Sequence, residues 1–145
     1  RDNIVYGNQE YSELTDEELT KVISEYGLSA LLKRFESGLN TKVTATGSKL
    51  SLGQKQLIAF IRAMLRRPEL IILDEATANI DTVTEKLLDE ILQKLPRETT
   101  LVIIAHRLST IDNADEIFFV NSGEVIQAGS MQHAVDMLLH GKRES

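Results

Sequence analysis

Two continuous apolar runs, separated by one amphipathic helix pattern, constrain the fold of this chain more than any other feature. The runs cover residues 70–73 and 101–105, and the helix pattern between them covers residues 83–95. A short run without apolar and polar alternation is typical of a strand covered on both faces, as in a parallel sheet. A strand, a helix and a second strand in this order form a βαβ unit. The second half of the chain is therefore predicted to be an α/β core with a mostly parallel sheet.

The first half of the chain is predicted to be helical. Thr15-Asp16-Glu17-Glu18 has the pattern of a capping box, which opens a helix that ends near Gly27. A short helix is expected around residues 31–35. A longer one is expected over residues 52–66, because its apolar side chains recur on one face. Residues 37–51 are rich in Gly, Ser and Thr and are predicted to be a loop.

The last third of the chain shows a hairpin pattern followed by a helix pattern. Residues 118–120 and 125–126 are apolar and flank Asn121-Ser122-Gly123, a sequence typical of a turn. The final helix is predicted over Met131–His140. These elements extend the predicted α/β core towards the end of the chain.

Composition excludes several classes of protein. The 145 residues suit one domain or a large part of one, and the absence of cysteine excludes disulfides and thiolate metal sites. Sixteen basic residues against 22 acidic ones give a net charge of −6, which argues against a broad nucleic-acid surface. No apolar run approaches the ~18 residues of a membrane span, so this stretch of chain is predicted to be soluble.

Polar groups that suit phosphate chemistry follow both predicted strands. Asp74 and Glu75 come after the first strand and His106 after the second. Because ligands of open parallel sheets bind beyond the carboxyl ends of the strands, these groups are expected at one edge. An aspartate there suits Mg²⁺, and the second carboxylate is then free to polarise a water molecule. Taken alone, the acidic pair fits a solvated loop start equally well.

The start of the longer helix is the second candidate site. Ser51 at the N-cap and Gly53 at a positive helix end suit a phosphate group, with Gln54 beside them. The same residues also read as an ordinary S-x-x-Q capping box, and for this tetrapeptide alone that interpretation is favoured.

The order of three segments resembles the ATP-binding cassette (ABC) ATPases, and most of all the nucleotide-binding domains of exporters. The segments are "LSLGQKQ", "LIILDEATANID" and "IIAHRLST", and the likeness extends from "RDNIVYG" to "GSMQHAVDMLL". The resemblance implies a partial P-loop NTPase (RecA-like) core with a mostly parallel sheet and an ABC helical subdomain. It places the helical subdomain with the signature motif in residues 1–68 and the later half of the ATPase core in residues 69–145.

The resemblance also implies a role for each candidate residue. Asp74 resembles the Mg²⁺ ligand of the Walker B strand and Glu75 the general base, while His106 is similar to the switch histidine at the γ-phosphate. Ser51, Gly53 and Gln54 resemble the signature motif, which faces ATP held by a partner domain. Asp81 ends a stretch similar to the D-loop, which crosses the dimer interface.

For the whole protein, the resemblance implies ATP hydrolysis coupled to export. The expected cofactors are ATP and Mg²⁺. The expected partners are a second nucleotide-binding domain in a head-to-tail dimer and the transmembrane domains, and no nucleic acid. The expected location is the cytoplasmic face of the membrane.

Two residues depart from the family pattern. Leu52 stands at the first signature glycine, and Ala45 stands where exporters carry a glutamate. We expect the first change to adjust the signature geometry without abolishing it. The second makes coupling to a transmembrane partner through that loop less certain.

The phosphate-binding loop G-x-x-x-x-G-K-[ST] does not occur in the 145 residues. The only Gly-Lys pair is Gly141-Lys142, and Arg143 follows it. The sequence therefore resembles a C-terminal fragment that lacks the Walker A motif and the Q-loop, and on its own it is predicted to be inactive.

Two other interpretations remain open. One is a soluble DNA-linked or ribosome-linked ABC ATPase, although sustained heptads are missing and the switch stretch carries a histidine, not an aspartate. The other is a degenerate regulatory ABC module, against which the intact Asp74, Glu75 and His106 speak.

Overall fold

A computed structural model describes residues 1–43, 50–74, 79–104, 114–121 and 123–140 of the chain. The chain divides into two compact units. The first unit contains Arg1–Ile71 and Ala76–Leu101, and the second contains Ile72–Glu75 and Val102–Ser145. The domain boundary between residues 68 and 69 that the family resemblance implies stays a prediction.

The first unit is mainly helical, as predicted for the first half of the chain. Its described helices are α1 (Asp2–Val5), α2 (Gln9–Ser12), α3 (Asp16–Glu25), α4 (Ser29–Leu32), a 3-10 helix (Gly38–Asn40), α5 (Leu52–Met64) and α6 (Thr82–Leu92). Helices α1, α2 and the 3-10 helix were not predicted, because each is too short to show a helical period. The 3-10 helix lies inside the stretch predicted to be a loop. Helix α6 ends at Leu92, three residues before the predicted end.

Capping boxes open both longer helices of the first half. The Thr15 hydroxyl accepts a hydrogen bond from the Glu18 N–H at 3.3 Å, and the Glu18 carboxylate accepts from the Thr15 N–H at 2.8 Å. Helix α3 then ends before Gly27, which adopts a φ of 70° that favours glycine. The predicted start and stop of this helix are confirmed.

The core of the first unit is formed by apolar side chains of the longer helices and of the short helix α4. Five of its side chains are completely buried: Leu19, Ile23, Leu28, Leu31 and Ile61. Helix α1 packs on α5, and helix α6 packs on α4. This packing fixes the positions of the N-terminal ends of α5 and α6.

Arginine side chains of α5 and the residues after it hold the N-terminal segment. The Arg62 Nε donates to the main-chain oxygen of Asn3 at 2.7 Å, and its guanidinium lies 5.5 Å from the centre of the Tyr6 ring. The Arg66 Nη2 donates to the main-chain oxygen of Tyr6 at 2.9 Å. The start of the chain is therefore tied to α5 by polar contacts as well as by apolar packing.

The two apolar runs form neighbouring strands of a parallel sheet, which confirms the predicted α/β class. They are β1 (Leu70–Asp74) and β2 (Thr100–Ile104). The prediction that both faces of the strands are covered is not met within the described part of the chain. Ile71 is 6% exposed, whereas Leu70 and Ile72 are 52% and 60% exposed. Successive side chains of a strand point to opposite faces, so only one face of β1 is buried here.

The second unit contains the predicted hairpin and the last helix. Strands β3 (Ile117–Asn121) and β4 (Glu124–Ala128) pair antiparallel, with Phe119 opposite Ile126. Helix α7 (Met131–His140) packs on this hairpin. The small core between them contains Ala128 and Met137 with the partly buried Ile117, Phe119 and Ile126.

Among the helices that the structure describes, none has the length and apolar character that crossing a lipid bilayer requires.

Candidate functional site

Ser51 lies at the N-cap of α5, the position that the sequence predicts. Its hydroxyl accepts a hydrogen bond from the Gln54 N–H at 3.1 Å, and its own N–H donates to the Gln54 side-chain oxygen at 3.0 Å. The Ser51 side chain is exposed. A hydroxyl has one proton and two lone pairs, so a capping serine can still donate to an anion in front of the helix. The capping box and the phosphate contact are therefore compatible.

Gly53 is buried, and its missing side chain accommodates another part of the chain. A Cβ atom on Gly53 would lie 2.6 Å from the main-chain oxygen of Asn79. Asn79 belongs to the turn before α6, in the stretch that resembles the D-loop. From its place in the sequence, Gly53 was expected to approach a phosphate group, and its contact with the backbone of Asn79 was not foreseen.

Gln54 is held by contacts within its own unit. Its side-chain oxygen accepts from Ser51, and its side-chain Nε2 donates to the main-chain oxygen of Arg34 at 3.3 Å. Both polar ends of the amide are thus engaged. In this arrangement Gln54 orients the start of α5.

Asp81 is the N-cap of α6. One carboxylate oxygen accepts from the Thr84 N–H at 3.1 Å, and the other accepts from the Thr84 hydroxyl at 2.6 Å. The Arg34 guanidinium lies 3.6 Å from the same carboxylate. The two Thr84 hydrogen bonds, followed by the Arg34 charge, lower the pKa of Asp81 below its usual value. Asp81 is therefore ionised at neutral pH and fixed at the start of a helix, where a negative charge is stabilised.

Asp74 is the last residue of β1 and is exposed. Strand β2, which leads towards His106, is the hydrogen-bonded neighbour of β1. Glu75 and His106 lie outside the residues that the structure describes. The convergence of Asp74, Glu75 and His106 stays a prediction.

The described residues contain no cluster of three or more acidic, histidine or cysteine side chains that could hold a metal ion. Mg²⁺ does not need such a cluster, since it is usually held through one or two carboxylates, water and substrate phosphates. A single exposed aspartate at a strand end, such as Asp74, fits this type of binding. It does not fit a metal site made entirely of protein ligands.

Two contributors to this region were missed from the sequence: Arg34 and Thr84. Thr84 had a local signal, because Asp81-x-x-Thr84 is a typical N-cap spacing. Arg34 becomes a neighbour of the candidate residues only through tertiary packing, and no sequence pattern indicated it. Asn79 was noted as part of the D-loop-like stretch, but its contact with Gly53 was not foreseen.

A comparison with protein families matches residues 1–78 to the ABC transporter family. This match covers more than half of the chain. The chain belongs to the ABC transporter family. The resemblance proposed from the three sequence segments is thereby confirmed, and so is the interpretation of the fold as consistent with part of a P-loop NTPase.

Similar ABC proteins are known from several bacteria. A probable multidrug resistance ABC transporter ATP-binding/permease protein, YheH of Bacillus subtilis, is 43% identical over 129 residues, which is 89% of this chain and 19% of that protein. The ATP-dependent lipid A-core flippase of Pseudoalteromonas translucida is 43% identical over 127 residues, 88% of this chain and 22% of the flippase. This ABC chain thus spans about a fifth of the length of these relatives.

A solved structure has the same fold. It is a bacterial Atm1-family ABC exporter with ATP bound, 29% identical in sequence, with a TM-score of 0.69 over 97% of this chain and 24% of the exporter chain. The relatives named here are described as a multidrug resistance ABC transporter, a lipid A-core flippase and an ABC exporter. The family match and these relatives are therefore the basis for a proposal about the function of this ABC chain.

Proposed function

We propose that this chain is part of the ATP-hydrolysing nucleotide-binding domain that powers export by an ABC transporter. The observation that carries the proposal is that two of the candidate groups are exposed at element ends in a member of this family. Asp74 is exposed at the carboxyl end of β1, and Ser51 is exposed at the N-cap of the 13-residue helix α5. The exporter relatives support the direction of transport.

In the proposed reaction, water attacks the γ-phosphorus of ATP, and ADP and inorganic phosphate leave. Glu75 accepts the proton of the attacking water. His106 donates a hydrogen bond to the γ-phosphate, and the Ser51 hydroxyl and the α5 N-terminus face the γ-phosphate of an ATP held by a partner domain. Catalysis of this kind depends mainly on positioning and on charge stabilisation.

Asp74 would hold Mg²⁺, through water, at the end of β1. When bound, the ion neutralises charge on the phosphate oxygens. The remaining groups act from the chain itself. Asp81 keeps the turn before α6 in place, and Gly53 lets that turn pack against the start of α5.

The proposed site is shared between chains or between halves of one chain. The partner is a second nucleotide-binding domain in a head-to-tail dimer, joined to transmembrane domains on the cytoplasmic face of the membrane. The sequence holds no G-x-x-x-x-G-K-[ST] loop, so we propose that residues outside it supply the lysine and the backbone N–H groups around the phosphates. The 145-residue chain alone should hydrolyse ATP at the background rate.

Hydrolysis of ATP by the full-length protein tests this proposal. Glu75→Gln should lower kcat by about 10²- to 10⁴-fold, the usual contribution of a general base. Glu69→Gln makes the same chemical change just before β1 and should leave kcat within about twofold of the unmodified protein. Full turnover by the Glu75 variant, or micromolar binding of Mg-ATP by the isolated 145-residue chain, would contradict the assignment.

A further inference from the structure

Arg34 contacts both segments that carry the candidate groups of the first unit. It lies just after α4, beyond the C-cap Lys33. Its main-chain oxygen accepts a hydrogen bond from the Gln54 side chain at 3.3 Å, and its guanidinium lies 3.6 Å from the Asp81 carboxylate. One residue thus touches the start of α5 through its backbone and the start of α6 through its side chain.

Both partners of Arg34 are themselves fixed. Gln54 closes the capping box with Ser51 at the start of α5. Asp81 accepts two hydrogen bonds from Thr84 at the start of α6. A contact to a capping group restrains the end of the whole helix, because the group is hydrogen-bonded to the first turn. Arg34 therefore joins two helix ends, and not merely two mobile side chains.

The same two segments also touch directly. The close approach of Gly53 to the main-chain oxygen of Asn79 leaves no room for a Cβ atom. This backbone contact is one point of attachment between the two segments. The Arg34 ion pair adds a second point of attachment, and two points define an orientation better than one.

We propose that Arg34 is a positioning residue that keeps the Ser51–Gly53 end of α5 and the Asn79–Asp81 turn in one fixed arrangement. The proposal rests on the proposed function, in which both segments face the partner domain and its ATP. The ion pair is partly exposed, with 35% of the Arg34 side chain and 64% of the Asp81 side chain accessible. Exposed pairs contribute little to stability, so its loss should disturb alignment more than folding.

The full-length protein with Arg34→Met tests the proposal. We expect kcat for ATP hydrolysis to fall by about tenfold, while KM for ATP stays within about twofold, because misaligned groups impair the transition state more than binding. Arg34→Lys keeps the charge and should restore at least about half of kcat. Lys33→Met, which removes an exposed positive charge from the neighbouring position, is the matched control and should retain kcat.

Hydrogen exchange provides a readout that does not depend on hydrolysis. Arg34→Met should speed amide exchange several-fold in the first turns of both α5 and α6, whereas Lys33→Met should change neither. Asp81→Asn keeps a capping oxygen and removes the charge. The double variant with Arg34→Met should therefore show kcat no lower, and amide exchange no faster, than the more strongly affected single variant. This double variant keeps the test informative if one substitution also lowers stability.

The proposal is overturned if Arg34→Met changes neither kcat nor exchange, or if Lys33→Met has the same effects. It is also overturned if the effects of Arg34→Met and Asp81→Asn on kcat and on amide exchange are additive in the double variant. If the unmodified full-length protein does not hydrolyse ATP, the proposed function fails. The exchange experiment then still decides whether Arg34 couples the two helix ends.

Discussion

The main-chain oxygen of Asn79 lies where a Cβ atom on Gly53 would be, at a distance of 2.6 Å. This relationship joins the start of α5 to the turn before α6 through backbone atoms alone. A glycine at this position is therefore required by the packing of the chain itself, before any ligand is considered.

Gly53→Ala should destabilise the protein. Replacing glycine by alanine in a helix ordinarily stabilises by about 0.4–1 kcal/mol. Overpacking against a backbone atom costs about 1–3 kcal/mol, so the net effect should be a loss of stability. Thermal unfolding of the purified chain measures this change.

Gly129→Ala is the matched control for the Gly53 substitution. Within the described part of the chain, no heavy atom other than those of Gly129 and its chain neighbours lies within 4 Å of a Cβ atom built on Gly129. The added methyl group should therefore leave Tm unchanged or slightly raised. Equal Tm values for the two alanine variants would show that the turn at Asn79 moves away from the added methyl group without a loss of stability.

Thr84→Val should lower Tm by about 3–6 °C. Thr84 is 1% exposed, and its hydroxyl donates to the Asp81 carboxylate at 2.6 Å. Valine keeps the shape of the side chain and removes only this hydrogen bond. Thr82→Val makes the same change at an exposed position two residues away, and it should leave Tm unaffected. A loss of Tm in both variants would point to a general effect of replacing a threonine hydroxyl by a methyl group near the helix start and not to the lost bond with Asp81.

The free energy of unfolding should decrease at acidic pH, because the Glu18 carboxylate becomes protonated. Hydrogen bonds donated by the Thr15 N–H and hydroxyl lower the pKa of Glu18 below its usual value of 4.5. A carboxyl group whose pKa is lower in the folded state stabilises the fold above its unfolded pKa. That stabilisation is lost as the pH falls through the folded pKa.

A series of Tm measurements from about pH 6 to about pH 3 tests this pH dependence. Glu18→Gln should make Tm fall less steeply as the pH decreases, because the amide does not titrate. Glu17→Gln changes another glutamate in the same first turn and should leave the slope closer to that of the unmodified chain. Identical slopes for both variants would rule out the capping box as the source.

The sequence predicted those parts of the fold whose signals are local. The capping boxes at Thr15 and Ser51 placed the starts of α3 and α5, because each box spans only four residues. The strand, helix and strand order predicted a βαβ unit with a parallel sheet, and the structure contains that sheet with β1 beside β2. The family resemblance also rested on short contiguous segments and needed no tertiary information.

The sequence could not predict contacts between segments that are distant along the chain. Arg34 carries no pattern that links it to Gln54 or Asp81, and only the packing of α6 on α4 brings it there. Gly53 was noticed for a ligand, while its backbone neighbour depends on the turn at Asn79. The candidate site was thus foreseen as a set of ligand groups. The supporting contacts that orient them were not.

Alanine substitutions at Leu52 and Leu57 test which side chain of α5 faces solvent and which faces the core. Leu52, which replaces a family glycine, is 56% exposed, whereas Leu57 is 3% exposed in the core. Leu57→Ala should cost about 2–5 kcal/mol because it leaves a cavity. Leu52→Ala should change stability by less than about 0.5 kcal/mol, since its side chain is largely in water.

ATP hydrolysis by the full-length protein with Leu52→Ala tests whether the exposed Leu52 side chain lies near a bound nucleotide. If the exposed end of α5 faces a nucleotide, as proposed, a smaller side chain permits closer approach, and KM for ATP should fall by about two- to tenfold. Tm should remain that of the unmodified protein. An unchanged KM would mean that this end of α5 does not approach the nucleotide. A large loss of Tm would mean that the Leu52 side chain packs against a part of the full-length protein and is not free for ligand contact.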